Sequence, residues 1–209
     1  MSSQALAALD APWRAAFQEA WASFAAGNFG VGAALVDPID GSLVSVGRNR
    51  VAERDGQPRM LSGNMTAHAE MNAFAALDRF NAEGLHLYTT LEPCLMCSAT
   101  AMQLKLDHVH FAAADEFYAG MSGMWTSHPV TAERQPRSSG PLTGELARFA
   151  RLLPMAFTLR HFPGRSAEQT ARRRHPELAA CADGLGGDER FQQIVATGTV
   201  GDALDHLEL

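Results

Sequence analysis

The stretch Leu85-His-Leu-Tyr-Thr-Thr-Leu91-Glu-Pro93-Cys94-Leu-Met-Cys97-Ser98 decides how this chain folds. Its first half is rich in β-branched and aromatic residues and predicts a strand. Pro93 then opens a helix, because its missing amide proton costs nothing in a first turn. Cys94 and Cys97 therefore fall in that first turn. Upstream, Thr66-Ala-His68-Ala-Glu70-Met71-Asn-Ala-Phe74-Ala75-Ala-Leu77-Asp78 places Met71, Phe74, Ala75 and Leu77 at helical spacing. His68-Ala-Glu70 thus begins a second helix.

Farther out, Val31-Gly-Ala-Ala-Leu-Val36 and Ser42-Leu-Val-Ser-Val-Gly47 flank Asp37-Pro-Ile-Asp-Gly41 and read as two strands joined by a turn. Before them, Trp13, Phe17, Trp21 and Phe24 recur at three- and four-residue spacing between Asp10-Ala-Pro12 and Gly27, the pattern of an amphipathic helix. Core packing is the better reading of that stripe than a stacking platform. A polar stretch spans 48–64. Beyond the cysteines, Val109-His-Phe-Ala-Ala-Ala114 reads as a strand, followed by a Gly and Met segment from Gly120 to Trp125 and a loop from Ser127 to Gly144. A helix near Glu145 to Leu152 and a final strand, Met155-Ala-Phe-Thr-Leu159, complete the reading. This order predicts an α/β protein with a sheet covered by helices on both faces.

Composition changes after Phe162. We read 1–162 as the catalytic domain and 163–209 as a helical C-terminal extension carrying Arg172-Arg-Arg174, Gly184-Leu-Gly-Gly187 and an acidic tail from Asp202 to Leu209. The arginine run suits a solvated helix face better than a nucleic-acid patch. A length of 209 residues suits one domain with an appended element. No stretch approaches the roughly 20 apolar residues of a membrane span, and the start lacks the charge and apolar run of a secretory signal. These features predict a cytoplasmic protein with no membrane partner. The net charge of −6 disfavours a polyanion as the main partner, so nucleic acid is not expected and a small substrate is.

The chemistry follows from spacing. One imidazole and two thiolates form a borderline-soft donor set for Zn²⁺, and Cys-x-x-Cys lets both sulfurs reach one ion from a single turn. Three protein ligands, His68, Cys94 and Cys97, leave the fourth tetrahedral position to water, whose pKa the metal lowers to about 7. Glu70, two positions beyond His68, is placed to face that water without binding the metal. It acts as base and then as acid.

His-x-Glu with Pro-Cys-x-x-Cys and a non-ligand glutamate is the signature of zinc nucleobase deaminases. Thr66-Ala-His-Ala-Glu-Met-Asn-Ala73 and Leu87-Tyr-Thr-Thr-Leu-Glu-Pro-Cys-Leu-Met-Cys-Ser-Ala99 resemble the cytidine and deoxycytidylate deaminase superfamily, in particular its branch of guanine, cytosine and tRNA adenosine deaminases. The resemblance covers roughly residues 28–125. It implies a three-layer α/β/α fold, cytidine deaminase-like, around a five-stranded mixed sheet, assembled as a homodimer whose neighbouring subunit helps close the pocket. It also implies substrate contacts from Asn49, in Gly47-Arg-Asn49-Arg, and from the backbone of Ala69. Phe29 lies near the family's base-stacking region, although Gly30 stands where many relatives have proline.

The resulting expectation is zinc-dependent hydrolytic deamination of a nucleobase, nucleoside or related amino-heterocycle, with water as co-substrate and ammonia released. A tRNA adenosine-to-inosine deaminase is the alternative, suggested by Thr-Leu-Glu-Pro-Cys-x-Met-Cys; against it, the chain ends in Gly-Asp-Ala-Leu-Asp-His-Leu-Glu-Leu where that family carries a basic, aromatic segment. A non-catalytic zinc-binding member is a second alternative, disfavoured by intact Glu70. Two further readings of the Cys-x-x-Cys are a structural zinc closed by Cys181, His108 or His110 and a redox pair, which lacks a thioredoxin-like context. Asp115 to Trp125, with Phe117, Tyr118 and Trp125, is placed as a candidate pocket wall.

Overall fold

A computed structural model describes residues 2–54, 56, 58–118 and 122–209. Gly120 of the Gly and Met segment lies outside the described residues. Five strands, β1 (Gly32–Val36), β2 (Leu43–Arg48), β3 (His86–Leu91), β4 (His108–Ala113) and β5 (Arg137–Ser139), form one sheet in the order β2-β1-β3-β4-β5. β1 pairs antiparallel with β2 and β3, whereas β3, β4 and β5 run parallel. The sheet is therefore mixed and five-stranded, as expected. Parallel neighbours need crossovers, and α4 (Leu95–Gln103) supplies the one between β3 and β4.

Helices cover both faces. On one, α3 (Ala69–Ala75) and α4 pack with Leu35, Leu87 and Val109. On the other, α2 (Ala11–Ala25) and α7 (Gly144–His161) meet around Phe17, Trp21 and Phe149. Phe17 and Phe149 are fully buried, each worth roughly 1.5–3 kcal/mol of apolar transfer. The aromatic stripe of α2 thus faces the core. Strand alternation sets this division, since Leu87 points to one layer and Tyr88 to the other.

Two expectations are corrected. Met155 to Leu159 is no strand: α7 runs unbroken from Gly144 to His161 through Pro154. Leu146, Phe149, Leu153 and Phe157 recur at helical spacing and are buried on that helix. The Thr158 hydroxyl donates to the carbonyl of Pro154 at 2.9 Å. The fifth strand is instead Arg137–Ser139, inside the segment read as a loop. All three of its residues are exposed, so it has no apolar alternation to reveal it.

Helices α5 (Ser122–Trp125) and α6 (Pro129–Arg134) precede β5, and a short α1 (Ser2–Ala7) precedes α2. After α7 come α8 (Ser166–Arg174), α9 (Pro176–Gly184), α10 (Glu189–Thr197) and α11 (Val200–Leu207). Residues 163–209 are thus helical, and their Leu178, Phe191, Ile194 and Leu204 share one buried cluster with Trp21 and Phe149. α11 starts with a capping box between Thr199 and Asp202, and Asp205 accepts from the amide of Ser3 at 2.8 Å.

Candidate metal centre and cavity

Two helix starts converge beyond the C-terminal end of β3. His68 is the N-cap of α3 and Cys94 the N-cap of α4, both in extended backbone conformation, so each side chain leaves just before its helix begins. Cys97 and Glu70 follow in the first turns. The α3 start is held down by Gly47 of β2, where an added Cβ would come within 2.2 Å of the Ala69 carbonyl oxygen. Only glycine allows that approach. Asn72 then ties α3 to the preceding loop, donating to the carbonyls of Arg48 and Leu61 and accepting from the Leu61 amide.

The donor atoms form a triangle. Cys94 Sγ and Cys97 Sγ are 3.7 Å apart, and His68 Nδ1 lies 3.5 Å from the first and 3.6 Å from the second. With Zn–S near 2.3 Å and Zn–N near 2.0–2.1 Å, a tetrahedral centre has S–S edges of about 3.8 Å and S–N edges of about 3.5–3.6 Å. The three separations are those edges, and both cysteines are free. The residues present therefore fit zinc, with Nδ1 as the imidazole ligand atom. Among the described residues, the mutually close donors here are His68, Cys94 and Cys97 alone. His108 and His110 belong to another cluster and Cys181 sits on α9, so none of them closes the centre.

The electrostatics point the same way. The hydrogen bond shared with Cys97, helped by His68, outweighs burial and pulls the Cys94 thiol down to about 4. Cys97 is pushed up by Cys94, by burial and by Glu70. One thiolate forms readily, and a second beside it needs a cation. Burial opposes charge on His68, but Cys94 and Glu70 outweigh it and raise its pKa.

Glu70 is 3% exposed. Its Oε1 accepts from the Thr89 hydroxyl at 3.4 Å and its Oε2 from Cys97 Sγ at 3.5 Å. Burial raises its pKa, opposed by His68. A carboxylate held this way is a better proton acceptor than one in water.

A cavity of about 390 Å³ opens onto this centre and includes His68, Glu70 and Cys94 in its lining. Asn49 also lines it; it is 3% exposed, and its Oδ1 accepts from the Val51 amide at 3.2 Å. Phe29 lines it too, packed on Phe157 with ring centroids 4.1 Å apart. Ala69 does not line the cavity; it is fully buried under the sheet. Phe117 and Tyr118 contribute to the wall as expected, whereas Trp125 lines a smaller neighbouring cavity of about 70 Å³.

Asp115 and Glu116, inside the segment expected to form a wall, line the cavity too, whereas the wall residues of α7 and α8 escaped the sequence reading. Asp115, just past β4, is raised to about 6, chiefly by burial, and its amide donates to Glu92 at 3.1 Å. α7 contributes Arg151 and Thr158, and α8 contributes Thr170 and Ala171. α8 is held there through Glu116, which pairs with Arg174, with His175 at 3.3 Å and with Arg151 at 3.6 Å. The signal for Asp115 and Glu116 was their place immediately after a parallel strand, where α/β sheets bind ligands. Nothing local marked α8 as a cavity wall.

The α/β/α sandwich thus carries a three-donor centre that fits zinc, beside a buried glutamate outside the donor set. Residues 9–113 match the cytidine and deoxycytidylate deaminase zinc-binding region, and the chain belongs to that family. It is similar to the tRNA-specific adenosine deaminase of Aquifex aeolicus, 37% identical over 112 residues that span 52% of this chain and 68% of that protein. A solved structure from work on A-to-I editing by tRNA:A34 deaminases covers 61% of this chain and 94% of its own, at 28% identity and a TM-score of 0.50. Guanine deaminase from Nitrosomonas europaea shares the fold at 22% identity, with a TM-score of 0.53 over 72% of this chain and 84% of that one.

Proposed function

We propose that the chain is a zinc-dependent hydrolytic deaminase of a small amino-substituted nucleobase, nucleoside or related heterocycle. The observation that carries this is one cavity lined by His68 and Cys94, two members of a donor triangle with the edges of tetrahedral zinc, and by Glu70, a buried carboxylate outside that triangle. Zinc bound there supplies chemistry the side chains lack, making a water nucleophilic at neutral pH. Glu70 would take one proton from water and give it to the ring nitrogen, then carry the second, from the hydroxyl newly formed on the ring, to the departing amine. Asn49 orients the ring, and Phe29 closes against its face. The apolar wall excludes bulk water, which strengthens each of these contacts.

The small-substrate reading rests on the mouth. α8 stands over the cavity, and two cations of its arginine run are already engaged, Arg172 by Glu168 and Asp183 and Arg174 by Glu116. They are not a free phosphate track. A second reading, adenosine-to-inosine conversion in tRNA, is favoured by the names of the sequence relatives, which speak for it more directly than a fold-level likeness speaks for a free base. A cytoplasmic homodimer belongs to the proposal in either case; among the described residues no helix is long and apolar enough to cross a membrane.

One experiment tests both readings. Zinc-loaded protein is offered adenine, guanine, cytosine, their nucleosides and substituted analogues, with ammonia release measured, and in parallel a tRNA anticodon stem-loop, with inosine measured. Ammonia from a free ring with no inosine supports the first reading; inosine alone replaces it with the second. Neither product would remove the deaminase assignment for this chain.

A further inference from the structure

We infer that His86, His108 and His110 form a second metal site, for a divalent transition ion that prefers nitrogen ligands, at the end of the sheet opposite the deaminase centre. His86 starts β3 and His108 starts β4, whereas Cys94 follows the far end of β3. The parallel register pairs His86 with His108 and Tyr88 with His110, so the three imidazoles share one face of two adjacent strands. Their ligand nitrogens all lie within 4.8 Å of one another.

His86 Nδ1 and His110 Nε2 are 3.3 Å apart. Two imidazoles on a tetrahedral ion, with bonds near 2.0–2.1 Å, put their nitrogens about 3.3–3.4 Å apart. That edge is therefore already set. His110 stacks on Tyr88 with centroids 4.4 Å apart, and Trp13 meets Tyr88 edge-on at 5.2 Å, which fixes the His110 ring from behind. His108 stacks on His110 at 4.1 Å and holds Ser139 by a 2.7 Å hydrogen bond at Nε2. For His108 to supply the third ligand, its ring would have to leave Ser139 and tilt out of the stack on His110. All three histidines are half-buried, leaving a coordination position to water. Asp107 and Arg137 flank the cluster with opposite charges. Imidazole-only sites suit Zn²⁺, Ni²⁺, Co²⁺ and Cu²⁺ over Mg²⁺ and Ca²⁺.

The test uses the full chain without an affinity tag, its deaminase centre already loaded with zinc, titrated with Ni²⁺ and separately with Zn²⁺ by calorimetry, with bound metal counted after dialysis. The expected result is one further equivalent per chain. His110→Asn and the double variant His86→Asn/His108→Asn should each weaken that uptake at least tenfold while keeping the first zinc. His128→Asn, at an exposed histidine outside the cluster, should leave it unchanged. Mg²⁺ in place of Ni²⁺ should give no uptake. Parent protein that takes up no second equivalent, or cluster variants that bind it as tightly as the parent, would overturn the site. Because the first zinc is counted separately, this outcome leaves the deaminase reading untouched.

Discussion

Replacing Glu70 with glutamine separates chemistry from structure at the proposed active centre. The amide has the same shape and keeps an oxygen for the Thr89 hydroxyl, so the fold and the His68, Cys94 and Cys97 triangle should survive with full zinc content. General acid–base catalysis is worth about 10²–10⁴ in rate. The upper part of that range applies, because Glu70 is 3% exposed and no bulk water can take over its proton. Glu92, Asp115 and Glu116 line the same cavity, and any of them taking over part of the role of Glu70 would limit the loss. A fall in kcat of at least about 10³, or roughly 4 kcal/mol in the barrier, is expected on whichever substrate the screen identifies. Stability should move the other way. Burial raises the folded-state pKa of Glu70 above its unfolded value, so the native state loses relative stability as pH rises through that window. Glutamine has no such loss. In matched metal-free samples the variant should therefore be at least as resistant to urea as the parent at pH 8, and the difference should shrink towards pH 4. A loss of less than tenfold in kcat at full zinc occupancy would refute the proton-transfer role.

Cys94→Ala should cost the protein the zinc equivalent of the His68, Cys94 and Cys97 centre and abolish turnover, as measured by metal analysis against the parent beside the activity assay, since a two-donor remnant holds zinc poorly. Gly30→Ala should destabilise by about 2–5 kcal/mol, because φ is +68° there and the new Cβ would meet Leu153 Cβ at 2.6 Å; an unchanged urea midpoint would contradict the packing of α7 against this loop. Glu116→Gln should loosen α8 by about 1 kcal/mol, the scale of a partly exposed ion-pair network, giving about fivefold faster tryptic cleavage at Arg172 to Arg174. Burial acts to raise the Glu116 pKa, but Arg174, His175 and Arg151 outweigh it and lower it. The contribution is therefore present above the unfolded-state value and lost as pH falls through the folded one, and parent protein should show the same faster cleavage in acid.

The metal end of the site was legible because its spacing is local. Cys-x-x-Cys closes within one helical turn and His-x-Glu within three residues, so two short stretches suffice to infer donor set and base. The hairpin and the α3 and α4 starts were legible for the same reason. β5 was not, since three exposed residues acquire their strand geometry by pairing with β4. Pro154 concealed the continuity of α7, because a missing amide proton looks the same in sequence whether a helix ends there or absorbs it.

The mouth of the cavity was illegible for a deeper reason. It is built by contacts such as Glu116 with Arg174, 58 residues apart, which no local pattern encodes. This divides chemistry from selectivity along the chain. The family match ends at Ala113, and every cavity-lining residue from Ala114 to His175 lies beyond it. The matched part contains the proposed metal ligands His68, Cys94 and Cys97 and the proposed base Glu70. Ring discrimination depends on the shape and polar contacts of the remaining wall, and that wall includes Asp115, Tyr118, Arg151 and the inner face of α8. A relative's name therefore transfers the reaction more securely than the substrate, and variants that change substrate without changing zinc content should map to residues after 113.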